Sequence, residues 1–437
     1  MPAVALALRA PLFHTPARRV LEHIPDALVE VDGAGTIIAV GPALPARVAE
    51  LAAAGVLTTL PEGHYLLPGM VDLHAHAPQW PQAGRALDVP LEEWLMRHTF
   101  PLEARYADLG FAGPVYADLV GSLLAHGTTT AVYFGTVDVA PTVLLAQTCL
   151  ARGQRALVGK VAMDVPGECP DFYRDADADA ALAGTAETIA AIRALPGNAG
   201  ALVRPVITPR FLPTCSEALL RGLGDLAEAT GAPVQTHCSE SDWEVAHGAA
   251  RFGCSDAAAL ERFGLLRAHT VLAHCTHLAA GDPALIRAAG AAIAHCPLSN
   301  VYFAGEVLPA APLLAEGLRI GLGSDIAGGH APSMLEAARF ALTAGRVRTR
   351  GAMAGAPGVA EALWMATAGG AEALGLATGH FAPGLAFDAI ALDALSPECL
   401  AWPGIDTPAD VLEKLLRRAG LAQIRHVWVA GRRVAGG

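Results

Sequence analysis

The sequence has little charge and almost no lysine. Charged residues make up 16% of its 437 residues, hydrophobic residues make up 53%, and lysine occurs only as Lys160 and Lys414. This composition can bury a large core and excludes a disordered chain. The formal net charge of −12, without any basic stripe, argues against a nucleic-acid partner. The chain also lacks a run of about 18 apolar residues that could span a membrane, and its first residues lack a signal-peptide pattern.

None of the eight cysteines forms a Cys-x-x-Cys pair. The usual thiolate frameworks for zinc are therefore excluded. Scattered free thiols are typical of proteins in the reducing cytosol. We therefore expect a soluble, cytoplasmic protein.

The two ends of the chain resemble each other and differ from the middle. Short strand patterns occur at residues 27–31 and 36–40, and again at residues 387–392, 426–429 and 432–434. Turn residues separate them, as in β-hairpins. We predict a small β-sandwich domain built from residues 1–66 and 381–437. The alternative is that these strands are unrelated additions to the main domain.

The middle of the chain alternates short apolar strands with helical stretches, which is typical of a parallel α/β fold. The strand candidates are residues 67–73, 129–134, 155–163, 203–208, 233–236, 270–273, 291–294 and 320–323. Helical spacing of apolar residues marks residues 180–195 and 216–230. Eight such units predict a (β/α)8 barrel, a TIM-like α/β fold, over residues 67–380. A doubly wound open sheet is the alternative, but no Gly-x-Gly-x-x-Gly follows an early strand.

The first strand candidate is followed by a pair of histidines, His74 and His76. On a strand, residues two apart point to the same face. Neutral imidazole is the commonest protein ligand for zinc-like metals. The pair therefore predicts half of a metal site, unless two surface histidines fall two residues apart by chance.

Other strand candidates also end in potential ligands. His237 and Glu240 follow the fifth, His274 the sixth, His295 the seventh and Asp325 the eighth. The C-terminal ends of barrel strands meet at one face, where catalytic groups collect. A lone histidine at such a place is usually structural, but five strand ends with the same feature predict a metal-dependent active site.

This pattern resembles the amidohydrolase superfamily. The resemblance implies a metal in a distorted (β/α)8 barrel, flanked by a β-sandwich made from both chain ends. It implies that His74, His76, His237 and Asp325 bind one Zn²⁺ per subunit, although Fe²⁺ suits the same ligands. It also implies a homodimer.

Two further motifs narrow the resemblance. Binuclear members carry a carboxylated lysine at the end of the fourth strand, whereas Arg210 follows that strand here and Lys160 lies on the third. One metal is therefore expected. The spacing of His237 and Glu240 resembles the deaminase branch, while the other zinc deaminase pattern, His-x-Glu with Pro-Cys-x-x-Cys, is absent.

A narrower resemblance covers residues 68–390 and points to the guanine deaminases. It is carried by residues 76–79 (His-Ala-Pro-Gln), 91–95, 99–101, 127–130, 158–161, 208–211 (Thr-Pro-Arg-Phe), 295–300 and 323–329. The sequence departs from that pattern at residues 80–82 and 275–277. The resemblance implies hydrolytic deamination of guanine to xanthine and ammonia, a step of purine catabolism.

The implied mechanism uses a water that the metal activates, since a bound Zn²⁺ lowers the pKa of water from about 15.7 to about 7. Asp325 is expected to take the proton of that water. Glu240 is expected to protonate N3 of guanine and to help the amine leave, which requires a raised pKa. His274 is expected to orient the attacking water, or else to be a structural neighbour.

A second group of residues is expected to hold the purine. The predicted substrate contacts are Gln79, Trp94, Arg210, Phe211, His237, Glu240 and Asp325. The guanidinium of Arg210 can donate to O6 and N7, Phe211 offers an apolar face, and Gln79 can read the purine edge. Trp94 either closes the pocket or belongs to the core.

Two other functions compete with guanine deamination. One is deamination of a related heterocycle, such as 8-oxoguanine, a pterin or a triazine, and only details of the pocket separate these. The other is a non-catalytic scaffold on the same fold. Such proteins typically lose metal ligands, whereas this chain keeps them all.

Overall fold

The computed structural model describes residues 3–436. Its strands are β1 (Val4–Ala17), β2 (Val20–Asp32), β3 (Ile37–Pro42), β4 (Leu57–Thr59), β5 (His64–Pro68), β6 (Met70–His76), β7 (Thr128–Phe134), β8 (Arg155–Gly159), β9 (Val161–Ala162), β10 (Val203–Pro205), β11 (Thr208–Pro209), β12 (Gln235–Cys238), β13 (Val271–His274), β14 (Ala292–His295), β15 (Arg319–Leu322), β16 (Ala389–Asp393), β17 (Ile424–Val429) and β18 (Arg432–Ala435).

The α-helices alternate with these strands through the middle of the chain. They are α1 (Pro45–Ala53), α2 (Leu91–Trp94), α3 (Phe100–Glu103), α4 (Leu109–Ala125), α5 (Val139–Arg152), α6 (Ala178–Arg193), α7 (Glu217–Thr230), α8 (Asp242–Phe252), α9 (Asp256–Arg262), α10 (Asp282–Ala289), α11 (Pro297–Ser299), α12 (Ala310–Ala315), α13 (Met334–Arg348), α14 (Val359–Ala366), α15 (Ala368–Ala373) and α16 (Pro408–Arg418). Within residues 3–436, no helix is long and apolar enough to cross a membrane.

Both chain ends contribute to one eight-stranded sheet. Its order is β18-β17-β16-β5-β1-β2-β3, with β4 paired to β1. The strand pairs β1–β2, β2–β3, β16–β17 and β17–β18 are antiparallel. The hairpin patterns at the two ends predict β2–β3 and β17–β18, whereas the long strand β1 was not predicted. The C-terminal strand β16 pairs with the N-terminal strand β5, and Ile390 lies opposite Leu67.

The middle strands pair in parallel. β6, β7, β8 and β10 form one four-stranded sheet, β12 to β15 form another, and β9 pairs with β11. Every residue of β7 is buried, as in strands of a parallel sheet that is covered on both faces. The parallel pairing agrees with the predicted α/β class.

Three of the predicted strands are interrupted. Residues 67–73 are not one strand, because β5 ends at Pro68 in the large sheet and β6 begins at Met70. Gly69 fills the break, and a Cβ there would lie 2.2 Å from Thr129 Oγ1. The third predicted strand breaks at Lys160 between β8 and β9, and the fourth breaks between β10 and β11.

Candidate metal centre and substrate pocket

Five predicted side chains meet at the C-terminal ends of the parallel strands. His74 and His76 lie at the end of β6, His237 on β12 and His274 on β13, and Asp325 follows β15. The Nε2 atoms of His76 and His237 are 3.0 Å apart. Asp325 Oδ1 lies 3.1 Å from His74 Nε2 and 3.6 Å from His76 Nε2. All five residues are buried.

This arrangement is suited to a cation. Two imidazole nitrogens 3.0 Å apart cannot both carry a proton, so at least one lone pair faces the other ring. Burial lowers the pKa values of His74, His76 and His237 well below the usual range, which keeps them neutral. Among the described residues, His74 Nε2 makes no hydrogen bond, and its close neighbour Asp325 Oδ1, at 3.1 Å, is also a predicted ligand. Three neutral imidazoles and one carboxylate form the donor set of a zinc-like site.

The backbone also orients one of these rings. His237 Nδ1 lies 2.5 Å from the carbonyl oxygen of Arg210 and therefore donates its proton there. The lone pair of His237 is consequently on Nε2, which faces His76. Fixing the tautomer through the second nitrogen is common for metal-binding histidines.

Glu240 lies beside this cluster. Its Oε1 is 3.5 Å from His274 Nε2, and Asn300 Oδ1 holds the other ring nitrogen of His274 at 2.9 Å. Burial, and then the negative charge of Asp325, raise the pKa of Glu240 well above its usual range. A carboxyl group with a raised pKa can carry and deliver a proton near neutral pH.

The backbone is strained at these strand ends. Positive φ angles occur at Ser239 (50°), His274 (72°), Cys275 (55°) and Asp325 (48°). Residues other than glycine rarely adopt such angles, and they persist where the surrounding structure enforces them. Their concentration around the cluster agrees with a functional site.

The cluster forms one wall of a pocket. Its lining residues are His76, Gln79, Leu91, Trp94, Leu95, Arg210, Phe211, His237, Glu240, Phe303, Asp325 and Gly328. All seven predicted substrate contacts are among them, whereas His74 and His274 are not. The sequence analysis assigned no role to Leu91, Leu95, Phe303 or Gly328, although residues 91–95 and 323–329 contributed to the resemblance.

Trp94 satisfies both interpretations of its sequence pattern. It lines the pocket, with its ring 5.1 Å from Phe303. Its side chain is also buried, and Nε1 donates to the carbonyl oxygen of Arg85 at 3.2 Å.

A model of the amidohydrolase family matches residues 65–434. The chain belongs to the amidohydrolase family. The matched residues run from β5 to β18.

Among amidohydrolases, the chain is similar to guanine deaminases. The probable guanine deaminase of Schizosaccharomyces pombe is 37% identical over 97% of this chain and 82% of its own length. The crystal structure of a guanine deaminase from C. acetobutylicum, with guanine in its active site, has a TM-score of 0.90 and 29% identity, over 98% of this chain and 100% of that chain. A zinc-bound adenosine deaminase from Xanthomonas campestris has a TM-score of 0.84 and 27% identity, over 99% of this chain and 93% of that chain.

In this amidohydrolase, a buried carboxylate that the sequence analysis missed supports the candidate metal centre. Asp72 Oδ1 accepts from the backbone N–H groups of Ser324 at 2.9 Å and His74 at 3.1 Å, and Oδ2 accepts from Ser324 Oγ at 2.5 Å. Burial raises the pKa of Asp72 to about 6. Asp72 thus joins β6, which carries two histidines, to the segment that carries Asp325. Its place two residues before His74 was the available signal.

Two further buried acids hold the Glu240 segment. Glu244 Oε2 accepts the backbone N–H of Glu240 at 2.7 Å. Asp256 Oδ2 accepts the backbone N–H of Ser239 at 2.8 Å and its hydroxyl at 3.2 Å. These contacts fix the backbone on both sides of the peptide bond that joins Ser239 to Glu240.

One more buried acid that was not predicted lies behind two residues of the pocket lining. Glu103, at the end of α3, bonds Arg210 and Gln79. It follows residues 99–101, which contributed to the resemblance, but no spacing in the sequence connects it to Arg210.

Proposed function

We propose that the protein catalyses the hydrolytic deamination of guanine to xanthine and ammonia. The observation that carries this proposal is the composition of one pocket. Glu240, with its raised pKa, lines the pocket together with His76, His237 and Asp325 of the cluster. Arg210 and Gln79 line the same pocket. The similarity to guanine deaminases supports the same activity.

We infer that His74, His76, His237 and Asp325 hold one metal ion per subunit. The neutral imidazoles and the distance of 3.1 Å between His74 Nε2 and Asp325 Oδ1 support this inference, as does the zinc in the related adenosine deaminase structure. Zn²⁺ is the proposed ion, and Fe²⁺ suits the same ligands. When bound, such an ion supplies Lewis-acid activation of water.

The side chains of the pocket divide the remaining tasks. Arg210 and Gln79 orient the purine through its polar edge, and Phe211 packs against the ring. Glu240 delivers a proton to N3, which makes C2 more electrophilic, and Asp325 takes a proton from the attacking water. Asp325 passes that proton to the amine, which leaves as ammonia. Glu240 helps the amine leave by taking the proton of the new hydroxyl on C2, which becomes the 2-oxo group and restores Glu240. His274, held by Asn300, orients that water.

We also propose that the predicted middle domain, residues 67–380, closes into a (β/α)8 barrel from Met70 onward, and that the predicted terminal segments, residues 1–66 and 381–437, form a β-sandwich that includes β5 up to Pro68. Contact between β6 and β15, the first and last parallel strands, supports closure: a Cβ on Gly323 would lie 2.9 Å from His74 Cβ.

The resemblance favours a cytoplasmic homodimer. Sedimentation of the purified protein should give twice the mass of 44.9 kDa, and a single-chain mass would contradict the dimer.

The activity is tested with the purified, zinc-loaded protein. Guanine absorbance should fall while ammonia appears, and adenine should not react. Turnover of 8-oxoguanine, a pterin or a triazine without turnover of guanine would replace the proposed substrate.

The role of Glu240 is tested with Glu240→Gln. This variant should retain its metal but lose turnover, because glutamine cannot deliver the proton. The exposed Glu217, which pairs with Arg262 on the surface, provides a matched control, since Glu217→Gln should leave turnover unchanged. An active Glu240→Gln variant would contradict the proton-transfer role.

A further inference from the structure

Glu103 is a buried acid at the centre of the substrate-binding polar groups. It is fully buried. Its Oε2 accepts from Arg210 Nη1 at 2.7 Å, and its Oε1 accepts from Arg210 Nη2 at 3.1 Å. The same Oε1 also accepts from Gln79 Nε2 at 2.8 Å. One carboxylate therefore binds both polar residues that we propose for reading the purine edge.

This contact decides the orientation of the Gln79 amide. A carboxylate paired with a guanidinium through two hydrogen bonds can only accept. The NH2 group of Gln79 must therefore face Glu103, and its carbonyl oxygen must face away. That oxygen, Oε1, is buried and has no hydrogen-bond partner within residues 3–436. Because Gln79 lines the pocket, Oε1 is an acceptor available to a ligand.

Arg210 contributes the opposite kind of group. A guanidinium has five N–H donors and no acceptor, and two donors are used on Glu103. The ring of Phe100 lies 4.9 Å from its central carbon, which restricts the plane of the guanidinium. Arg210 and Gln79 share Glu103 Oε1, so a donor and an acceptor are held side by side.

A donor next to an acceptor matches the lactam edge of guanine, where O6 accepts and N1–H donates. The amino edge of adenine or 2,6-diaminopurine has the reverse order, because the 6-amino group donates and N1 accepts. A free glutamine could turn its amide to suit the reverse edge, but Glu103 prevents this turn.

We propose that Glu103 is a positioning residue that selects 6-oxopurines over 6-aminopurines by locking the Gln79 amide beside Arg210. This inference rests on the proposed function, because it concerns the ring that the same pocket holds. Glu103 acts through its two neighbours and is not proposed to touch the substrate.

The test compares guanine with 2,6-diaminopurine in wild type and Glu103→Gln. Both purines carry the 2-amino group and differ at position 6. In the variant, the amide at position 103 can both donate and accept. It therefore no longer forces the NH2 group of Gln79 to face it. We expect the KM for guanine to rise by about tenfold, the equivalent of one hydrogen bond of about 1.4 kcal/mol. The inhibition constant of 2,6-diaminopurine should fall or stay unchanged, and the metal content should not change.

Asp388→Asn is the matched control. Asp388 is also buried and accepts from one arginine through both oxygens, at 3.0 and 3.2 Å from Arg155, but it lies outside the pocket. Its variant should lower the melting temperature without changing the ratio of the two purine constants. If Glu103→Gln weakens both purines equally, as a purely structural residue would, the proposal is wrong.

Gln79→Met tests the same claim if Glu103→Gln does not fold. It removes the acceptor but leaves both Arg210 bonds to Glu103. The KM for guanine should again rise by about tenfold, while 2,6-diaminopurine should bind no worse. An unchanged KM would overturn the proposal. Failure of wild type to deaminate guanine is a different result, since it would refute the proposed function itself.

Discussion

Replacing Asp72 with alanine should weaken both the fold and the metal centre. Asp72 Oδ1 is the acceptor for two buried backbone N–H groups, those of His74 and Ser324. Alanine leaves both without that acceptor, and each unsatisfied buried group costs about 1–3 kcal/mol. We therefore expect the free energy of unfolding to fall by about 2–6 kcal/mol.

The same change should lower metal affinity, because it frees β6 from the segment that carries Asp325. Loss of a group that orients metal ligands typically costs about 10- to 100-fold in affinity. Urea unfolding with a chelator present measures the stability of the metal-free protein. Zinc retained after dialysis against a zinc buffer measures the affinity.

Two milder variants test the reasoning. In Asp72→Asn the amide oxygen can still accept both N–H groups, and in Ser324→Ala only the hydroxyl bond to Asp72 is lost. Each should cost less than about 2 kcal/mol. An Asp72→Ala variant with the stability and zinc affinity of wild type would refute this account of Asp72. So would an Asp72→Ala variant whose stability and zinc affinity are no lower than those of Asp72→Asn.

Three further outcomes are expected. Removal of the metal with a chelator should abolish turnover, and Zn²⁺ should restore it; activity that survives complete metal removal would contradict the proposed centre. Glu244→Ala should lower kcat by about tenfold or more, because the backbone N–H of Glu240 loses its acceptor. Its metal content should not change. Equal kcat in wild type and variant would show that Glu244 does not position Glu240. Gly248→Ala should lower the melting temperature, because its Cβ would lie 2.4 Å from Asp256 Oδ1. This clash should outweigh the preference of alanine over glycine in a helix, which is about 1 kcal/mol. A higher melting temperature would show that Asp256 can move.

The sequence was most informative where function depends on short spacing. His74 and His76 are two residues apart, and His237 and Glu240 are three apart, so each pair lies at the end of a single strand. The structure brings these residues and Asp325 together at the strand ends. Local periodicity and the common edge of parallel strands were sufficient for this prediction.

The sequence was least informative where function depends on distant pairs. Glu103 and Arg210 are separated by 107 residues, and Asp72 and Ser324 by 252. A buried acid has no periodic signature, and its partner is known only once the chain has folded. The break at Gly69 was missed for a related reason, because apolar residues continue across it and the change of sheet depends on pairing with β16.

The pairing of β5 with β16 has a consequence for the order in which the protein is made. β5 leads directly through Gly69 into β6, yet its neighbour in the sheet emerges from the ribosome more than 300 residues later. During synthesis, β5 can pair with β1, but the edge of β5 that β16 covers stays unpaired until the end of the chain has emerged. Such long-range pairing slows folding, so β6, which carries His74 and His76, follows directly from a strand whose sheet only the last strands of the chain complete.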